Sequence, residues 1–165
     1  MNLEFAGRNV LQIRDARITF RNFEGRGDKY NREGDRNFAL IIPNQEIAEA
    51  LQNDTNRYGA GWNVTIRAPR EDGGDPFMFL KVKVKFNDRG PVVYLNTNGK
   101  VTRLDEESIA CLDYMDISHV DLNIRPYDDE IRGDAFRAAY LQSMEVFQNI
   151  DSIAARYAEE EFPEE

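Results

Sequence analysis

Long apolar runs are missing from this 165-residue chain. None approaches the roughly 20 residues that a membrane-spanning helix needs, and Met1-Asn2-Leu3-Glu4-Phe5 lacks the basic start and apolar stretch of a secretory signal. A cytoplasmic protein without a membrane partner is expected. The single cysteine, Cys111, excludes an internal disulfide and leaves no thiolate set for a metal. Its setting, Ser108-Ile109-Ala110-Cys111-Leu112, predicts a small buried thiol. His119 is the sole histidine and has no Cys, second His or Ser motif at catalytic or ligating spacing. No G-x-x-x-x-G-K phosphate loop occurs. Carboxylates are abundant, but Asp128-Asp129-Glu130 with Asp134, and Asp113 with Asp116, read as loop residues. A two-metal nuclease needs carboxylates converging from rigid elements. The expectation is a protein that is not an enzyme and uses no cofactor or metal.

What is present is a charge gradient. Residues 1–100 carry 16 basic and 13 acidic side chains, while 101–165 carry 5 and 17, so the formal net charge of −9 conceals a mildly basic body. The acidity culminates in Glu159-Glu160-Glu161-Phe162-Pro163-Glu164-Glu165. A positive groove with aromatic faces is what holds single-stranded nucleic acid. An acidic tail of this kind can occupy such a groove or recruit partners.

Short β-type runs dominate the chain. Val10 to Phe23 reads as one long strand with room for a bulge, with Leu11, Ile13, Ile18 and Phe20 apolar among Arg14, Arg17 and Arg21. Phe38 to Ile42 is a second strand, stopped by Pro43, and Asn44 caps a short helix whose Ile47, Ala48 and Leu51 share one face. Trp62, Val64 and Ile66 alternate with Asn63, Thr65 and Arg67 as a strand with one dry face. In the clearest strand Leu80, Val82, Val84 and Phe86 alternate with Lys81, Lys83 and Lys85. Asn87 to Gly90 is a turn, and Val92 to Leu95 is expected to return as the partner of a hairpin. After a turn at Asn96 to Lys100, Asp105 caps a predicted helix through Leu112. Val120 to Ile124 is a strand, Asp128 to Asp134 an acidic loop, and Ala138 to Phe147 a final strand of uneven alternation in which Tyr140, Met144 and Val146 can share a face. About seven strands and two or three short helices result, with no strand-helix alternation of the parallel-sheet kind. The fold class is mainly β: a small antiparallel OB-like barrel with appended hairpins, spanning 1–150. Residues 151–165 are expected to form a short helix and a disordered acidic tail.

Three groups of residues bear on function. The segment from Arg21 to Arg36 links two strands and collects Arg21, Arg26, Lys29, Arg32 and Arg36 with Phe23 and Tyr30. Its glycines allow amides to approach a phosphodiester, guanidinium groups can grip phosphates, and the two rings can stack on bases. A solvated loop neutralised by Glu24, Asp28, Glu33 and Asp35 reads equally well. The lysine strand projects Lys81, Lys83 and Lys85 from one face at about 7 Å intervals, with Arg67 extending the surface. Protection of an edge strand is the alternative. Trp62 is a stacking candidate, although its alternation favours the core. The third group is the tail, in which Glu159, Glu160, Glu161 and Phe162 form a candidate partner-binding segment.

The loop Lys29-Tyr30-Asn31-Arg32-Glu33-Gly34-Asp35-Arg36-Asn37-Phe38, the strand start Gly61-Trp62-Asn63-Val64 and the run Asp121-Leu122-Asn123-Ile124-Arg125-Pro126-Tyr127 resemble bacteriophage single-stranded DNA-binding proteins. The resemblance runs from about Val10 to Tyr157. It implies an OB barrel with a carboxylate-rich tail, in the cytoplasm of an infected bacterial host. Single-stranded DNA would be coated without sequence preference, and phage or host replication and recombination proteins would be recruited through the tail. A homodimer is compatible with this reading. A second reading is a phage-encoded interaction protein that binds or inhibits a host protein, its acidic half imitating nucleic acid.

Overall fold

Strand pairing turns this helix-poor chain into a barrel. The computed structural model describes residues 1–7 and 10–150. The predicted tail helix and acidic end lie outside the described residues. In chain order the elements are β1 (Asn2–Ala6), β2 (Val10–Ala16), β3 (Ile18–Asn22), β4 (Arg36–Ile42), α1 (Gln45–Asn53), β5 (Val64–Arg67), β6 (Phe77–Val84), β7 (Val92–Thr97), β8 (Lys100–Leu104), a 3-10 helix (Ile109–Asp113), β9 (Ile117–Ile131) and β10 (Asp134–Gln148).

The strand expected over Val10 to Phe23 is a bent one, β2 and β3 with only Arg17 between them. At the bend Asp15 adopts a left-handed backbone with φ 53°. Its N–H donates to Asp121 Oδ1 at 2.9 Å, which ties the corner to β9. Because of the bend, the two halves serve different neighbours. β2 pairs antiparallel with β9 and β3 with β4, and the Arg17 carbonyl accepts from Ile41 N–H at 2.9 Å. β4 pairs antiparallel with β6, β6 runs parallel to β10 where Val82 and Lys83 face Ala139 and Tyr140, and β10 pairs antiparallel with β9. The circuit from β2/β3 through β4, β6, β10 and β9 back to β2 is therefore closed, as in an OB-like barrel. Its interior takes every second residue of each strand, including Leu11 and Ile13, Phe38 and Leu40, Leu80 and Val82, and Leu122 and Ile124, all buried. Among the described residues no helix is long and apolar enough to cross a membrane.

Helix α1 forms as expected: Asn44 Oδ1 accepts from Ile47 N–H at 2.9 Å, and Ala48 and Leu51 are buried. Gly61 then packs against its last turn, where a Cβ would overlap the Gln52 carbonyl. Only glycine allows this approach, which lets Trp62 N–H donate to Leu51 O at 3.2 Å.

Several expectations are corrected by the pairing. Among the described residues ten strands replace about seven, with β1 and β8 unforeseen. β7 is not the hairpin partner of β6: it pairs parallel with β10 and antiparallel with β8. Asp128 to Asp134 is no loop, since β9 and β10 continue as a hairpin to a tight turn at Arg132 and Gly133, both at positive φ. The predicted helix from Asp105 shrinks to a turn and the 3-10 helix. There Asp105 Oδ1 accepts from Ser108 N–H, Ser108 Oγ and Glu107 N–H, and the Ser108 bonds hold its carboxyl below the usual range. Cys111 is exposed, because the short helix buries Ile109 and Leu112 instead. The uneven alternation of β10 is a register shift between Leu141 and Ser143. Ala139 and Leu141 point inward before it and Met144 and Val146 after it, so Tyr140 does not share their buried face.

Candidate nucleic-acid interface

β6 lies inside the sheet, flanked by β4 on one side and by β5 and β10 on the other. Edge protection therefore does not explain its lysines. Met78, Leu80, Val82 and Val84 enter the core, while Phe77, Phe79, Lys81 and Lys83 lie on the outer face, with Lys85 exposed just beyond. Apolar rings thus continue the lysine row along one strand.

Neighbouring strands complete the surface. Phe20 in β3 has φ 48°, where the register slips between Thr19 and Asn22. A bulky residue in this conformation is a backbone outlier, and here it brings the ring edge-on to Phe77 and Phe79, with centroids 6.0 and 5.5 Å away. The ring remains 53% exposed. The Arg67 guanidinium, from β5, sits 5.4 Å from the Phe20 centroid and 5.1 Å from that of Phe79. On the opposite flank Lys83 Nζ lies 5.8 Å from the Tyr140 ring, which meets Tyr127 edge-on at 6.0 Å.

Two depressions run over this face. One, of about 450 Å³, is lined by Phe20, Arg26, Tyr30, Asn37, Arg67, Phe79 and Lys81 among others. The second, of about 330 Å³, is lined by Arg36, Lys81, Lys83, Lys85, Phe86, Glu106 and Tyr140 among others. They share Asn31, Asn37 and Lys81, and so form one groove across the wet face of β6. None of Arg67, Lys81, Lys83 and Lys85 is ion-paired among the described residues. Four uncommitted cations beside exposed rings match what phosphates and bases require.

The loop between β3 and β4 forms one wall, and internal hydrogen bonds give it its shape. Asn22 Oδ1 accepts from Gly25 and Arg26 N–H, Asp28 Oδ1 accepts from Tyr30 and Asn31 N–H, and Asn31 Nδ2 donates to the Arg26, Arg32 and Asp35 carbonyls. Gly25, at φ 77°, accepts from Gly34 N–H at 2.8 Å, and a Cβ there would stand 3.1 Å from the Gly34 backbone. This glycine serves close apposition of the loop's arms rather than an approach of phosphate.

Within that loop the expected contacts divide. Tyr30 is 89% exposed, with Lys29 Nζ 5.6 Å from its ring, and Arg32 is also exposed. Arg26 lines the groove while donating to the Tyr114 hydroxyl at 3.0 Å. Arg21 spends its Nη1 on the carbonyls of Leu112 and Met115, at 2.7 and 2.6 Å, anchoring the end of the 3-10 helix. Arg36 is paired with Glu106 at 3.2 Å.

Phe23 is corrected from stacking candidate to core: it is fully buried and stacks on Phe38, with centroids 5.2 Å apart, while its N–H is held by Asp113 Oδ1 at 2.7 Å. Trp62 is likewise core, 3% exposed, with Nε1 donating to Asp54 Oδ2 at 2.9 Å and the Arg137 guanidinium 5.4 Å from its ring. Buried Arg137 is paired with Asp54 and Asp128. Partial burial raises the Asp128 carboxyl, but hydrogen bonds from Arg137 and Asn56 outweigh this and hold it below the usual range. The candidate tail residues Glu159, Glu160, Glu161 and Phe162 lie outside the described residues.

Sequence reasoning missed Phe20, Phe77, Phe79, Tyr127 and Tyr140. The signal for Phe77 and Phe79 was present, since extending the Lys81-Lys83-Lys85 parity backwards reaches both.

A model of the family described as "Putative phage ssDNA-binding domain" matches residues 4–165. Among curated proteins, none matches the chain. Three solved structures of the single-stranded DNA-binding protein from bacteriophage Enc34 share the fold. The complex with ssDNA superposes with a TM-score of 0.57 at 16% identity, covering 91% of this chain and 92% of that one. A C-terminal truncation gives 0.55 at 14% identity, covering 91% of each chain, and a third structure 0.54 at 16%, covering 94% of each.

Proposed function

The chain belongs to this phage ssDNA-binding family, and on that premise we propose that it coats single-stranded DNA across the outer face of β6, without catalysis and without sequence preference. The observation that carries the reading is the row Phe77, Phe79, Lys81, Lys83 and Lys85 along one groove floor, flanked by Arg67, Tyr30 and Tyr140. Lysines are point charges that follow a flexible backbone, and a ring stacks on any base, so neither component reads sequence. Arg67, laid over Phe20 and Phe79, keeps two rings ordered while presenting its charge beside them.

Catalysis is not part of the proposal, and two of the candidate carboxylates serve the fold. Asp113 accepts from Phe23 and Glu24 N–H, and Asp128 pairs with buried Arg137. Nothing favours the alternative of an inhibitor imitating nucleic acid. The proposal divides the work between the barrel of residues 1–150, which holds the strand, and residues 151–165, whose Glu159-Glu160-Glu161-Phe162 run recruits replication or recombination proteins or competes for the groove.

Fluorescence anisotropy with a labelled oligonucleotide tests the reading. Binding to unrelated sequences with similar affinity, weakening as salt rises, is expected. Failure to bind at low salt, or binding indifferent to salt, overturns it.

A further inference from the structure

Beside the lysine row Arg36, opposite Val84 in the pairing of β4 with β6, shares an ion pair with an acidic side chain. Its Nη1 donates to Glu106 Oε1 at 3.2 Å, and its guanidinium lies 5.6 Å from the Phe86 ring centroid. Nε is buried and meets no acceptor among the described residues. The side chain thus rests where it reaches Glu106 at the expense of its own donors, which a guanidinium directed at two phosphate oxygens would satisfy better. Glu106 is solvent-exposed and belongs to a turn held by the Asp105 and Ser108 hydrogen bonds, which fix the backbone from which its carboxylate reaches Arg36. Both residues line the same depression as Lys83 and Lys85.

We propose that Glu106 is a built-in placeholder for a DNA phosphate: in the free protein it occupies Arg36, and on binding a phosphate of the strand takes its place. The inference rests on the groove being the DNA site. The exchange of one anion for another keeps Arg36 ordered before DNA arrives and makes the strand compete with a carboxylate. Affinity is thereby held below what the cations alone would give, which suits a protein that must be displaced from the strand it coats.

A double-mutant cycle tests this, with oligonucleotide affinity measured by anisotropy at one salt concentration on the full chain. E106Q keeps the side chain's shape and removes its charge. It is expected to tighten binding about threefold to fivefold, the scale of an exposed ion pair. E107Q removes the same charge one residue along, where nothing pairs with Arg36, and is expected to change affinity less than twofold. In an R36A background E106Q should lose its advantage over E107Q. R36Q, which keeps much of the side chain's length and polarity but removes the charge, provides the same comparison if R36A melts early. Equal effects of E106Q and E107Q, or an E106Q gain that survives without Arg36, overturn the placeholder while leaving DNA binding intact. A wild-type chain that binds no oligonucleotide overturns both readings together.

Discussion

Replacing Lys81, Lys83 and Lys85 together by Gln separates the proposed interface from the fold. The three side chains are exposed and unpaired among the described residues, and their strand neighbours Val82 and Val84 carry the burial. Surface changes of this kind shift stability by no more than about 0.5 kcal/mol each. If Arg67 and Lys29 join the three lysines, about five phosphates are neutralised and log affinity falls with log salt at a slope of about −3.5. The triple variant keeps two contacts and should show a slope of about −1.4. Raising salt fourfold should then weaken the wild-type protein about 100-fold and the variant only about sevenfold. Anisotropy titrations at several salt concentrations, with a thermal melt of each protein, read both quantities. An unchanged slope in a folded variant would place the DNA elsewhere.

Other outcomes follow from the same geometry. Phe79→Ala should weaken oligonucleotide binding about 5- to 150-fold, the loss of one stacked base at about 1 to 3 kcal/mol, without changing the salt slope. Trp62→Ala should do the reverse, lowering stability by about 3 to 5 kcal/mol in denaturant unfolding while the folded fraction binds DNA normally. Asp128, whose carboxyl is lowered in the folded state, contributes stability in full above the ordinary carboxylate value of 3.8 and loses it as pH falls through its lower folded value. Acid melts of Asp128→Asn should therefore lack that part of the wild-type loss below pH 3.8. Gly61→Ala should destabilise the junction of α1 and Trp62, where the added methyl meets the Gln52 carbonyl, and a melting temperature equal to wild type would contradict this.

The barrel was legible where alternation was clean. In β6 period-two patterning fixed both the buried face and the lysine face, and Asn44 marked the start of α1 by its side-chain chemistry. Elsewhere non-local pairing decided. Nothing local distinguishes a β7 that returns along β6 from one that crosses to β10, since the turn at Asn87 to Gly90 suits either. Asp128 looked like a loop residue because an acidic run normally faces water. It lies in a strand because buried Arg137, nine residues along the chain, needs a carboxylate opposite it. Phe20 was hidden for another reason: strand parity assigns it a face, and its left-handed backbone overrides that parity. Phe23 was misjudged as a stacking candidate because an aromatic in a basic loop reads the same whether its ring meets a base or the core, and only long-range packing against Phe38 separates the two. For Trp62 the alternation with Val64 and Ile66 already favoured the core, where it packs beside Arg137.

The central claim is best tested by photo-cross-linking the full chain to an oligonucleotide carrying 5-iododeoxyuridine and mapping the adducts by mass spectrometry. Adducts should concentrate on Phe20, Tyr30, Phe79 and Tyr140, the rings that line the groove and its walls. Adducts on Tyr94 instead, beside the separate depression that holds Asp121 and Glu145, would show that the strand does not cross the lysine face of β6.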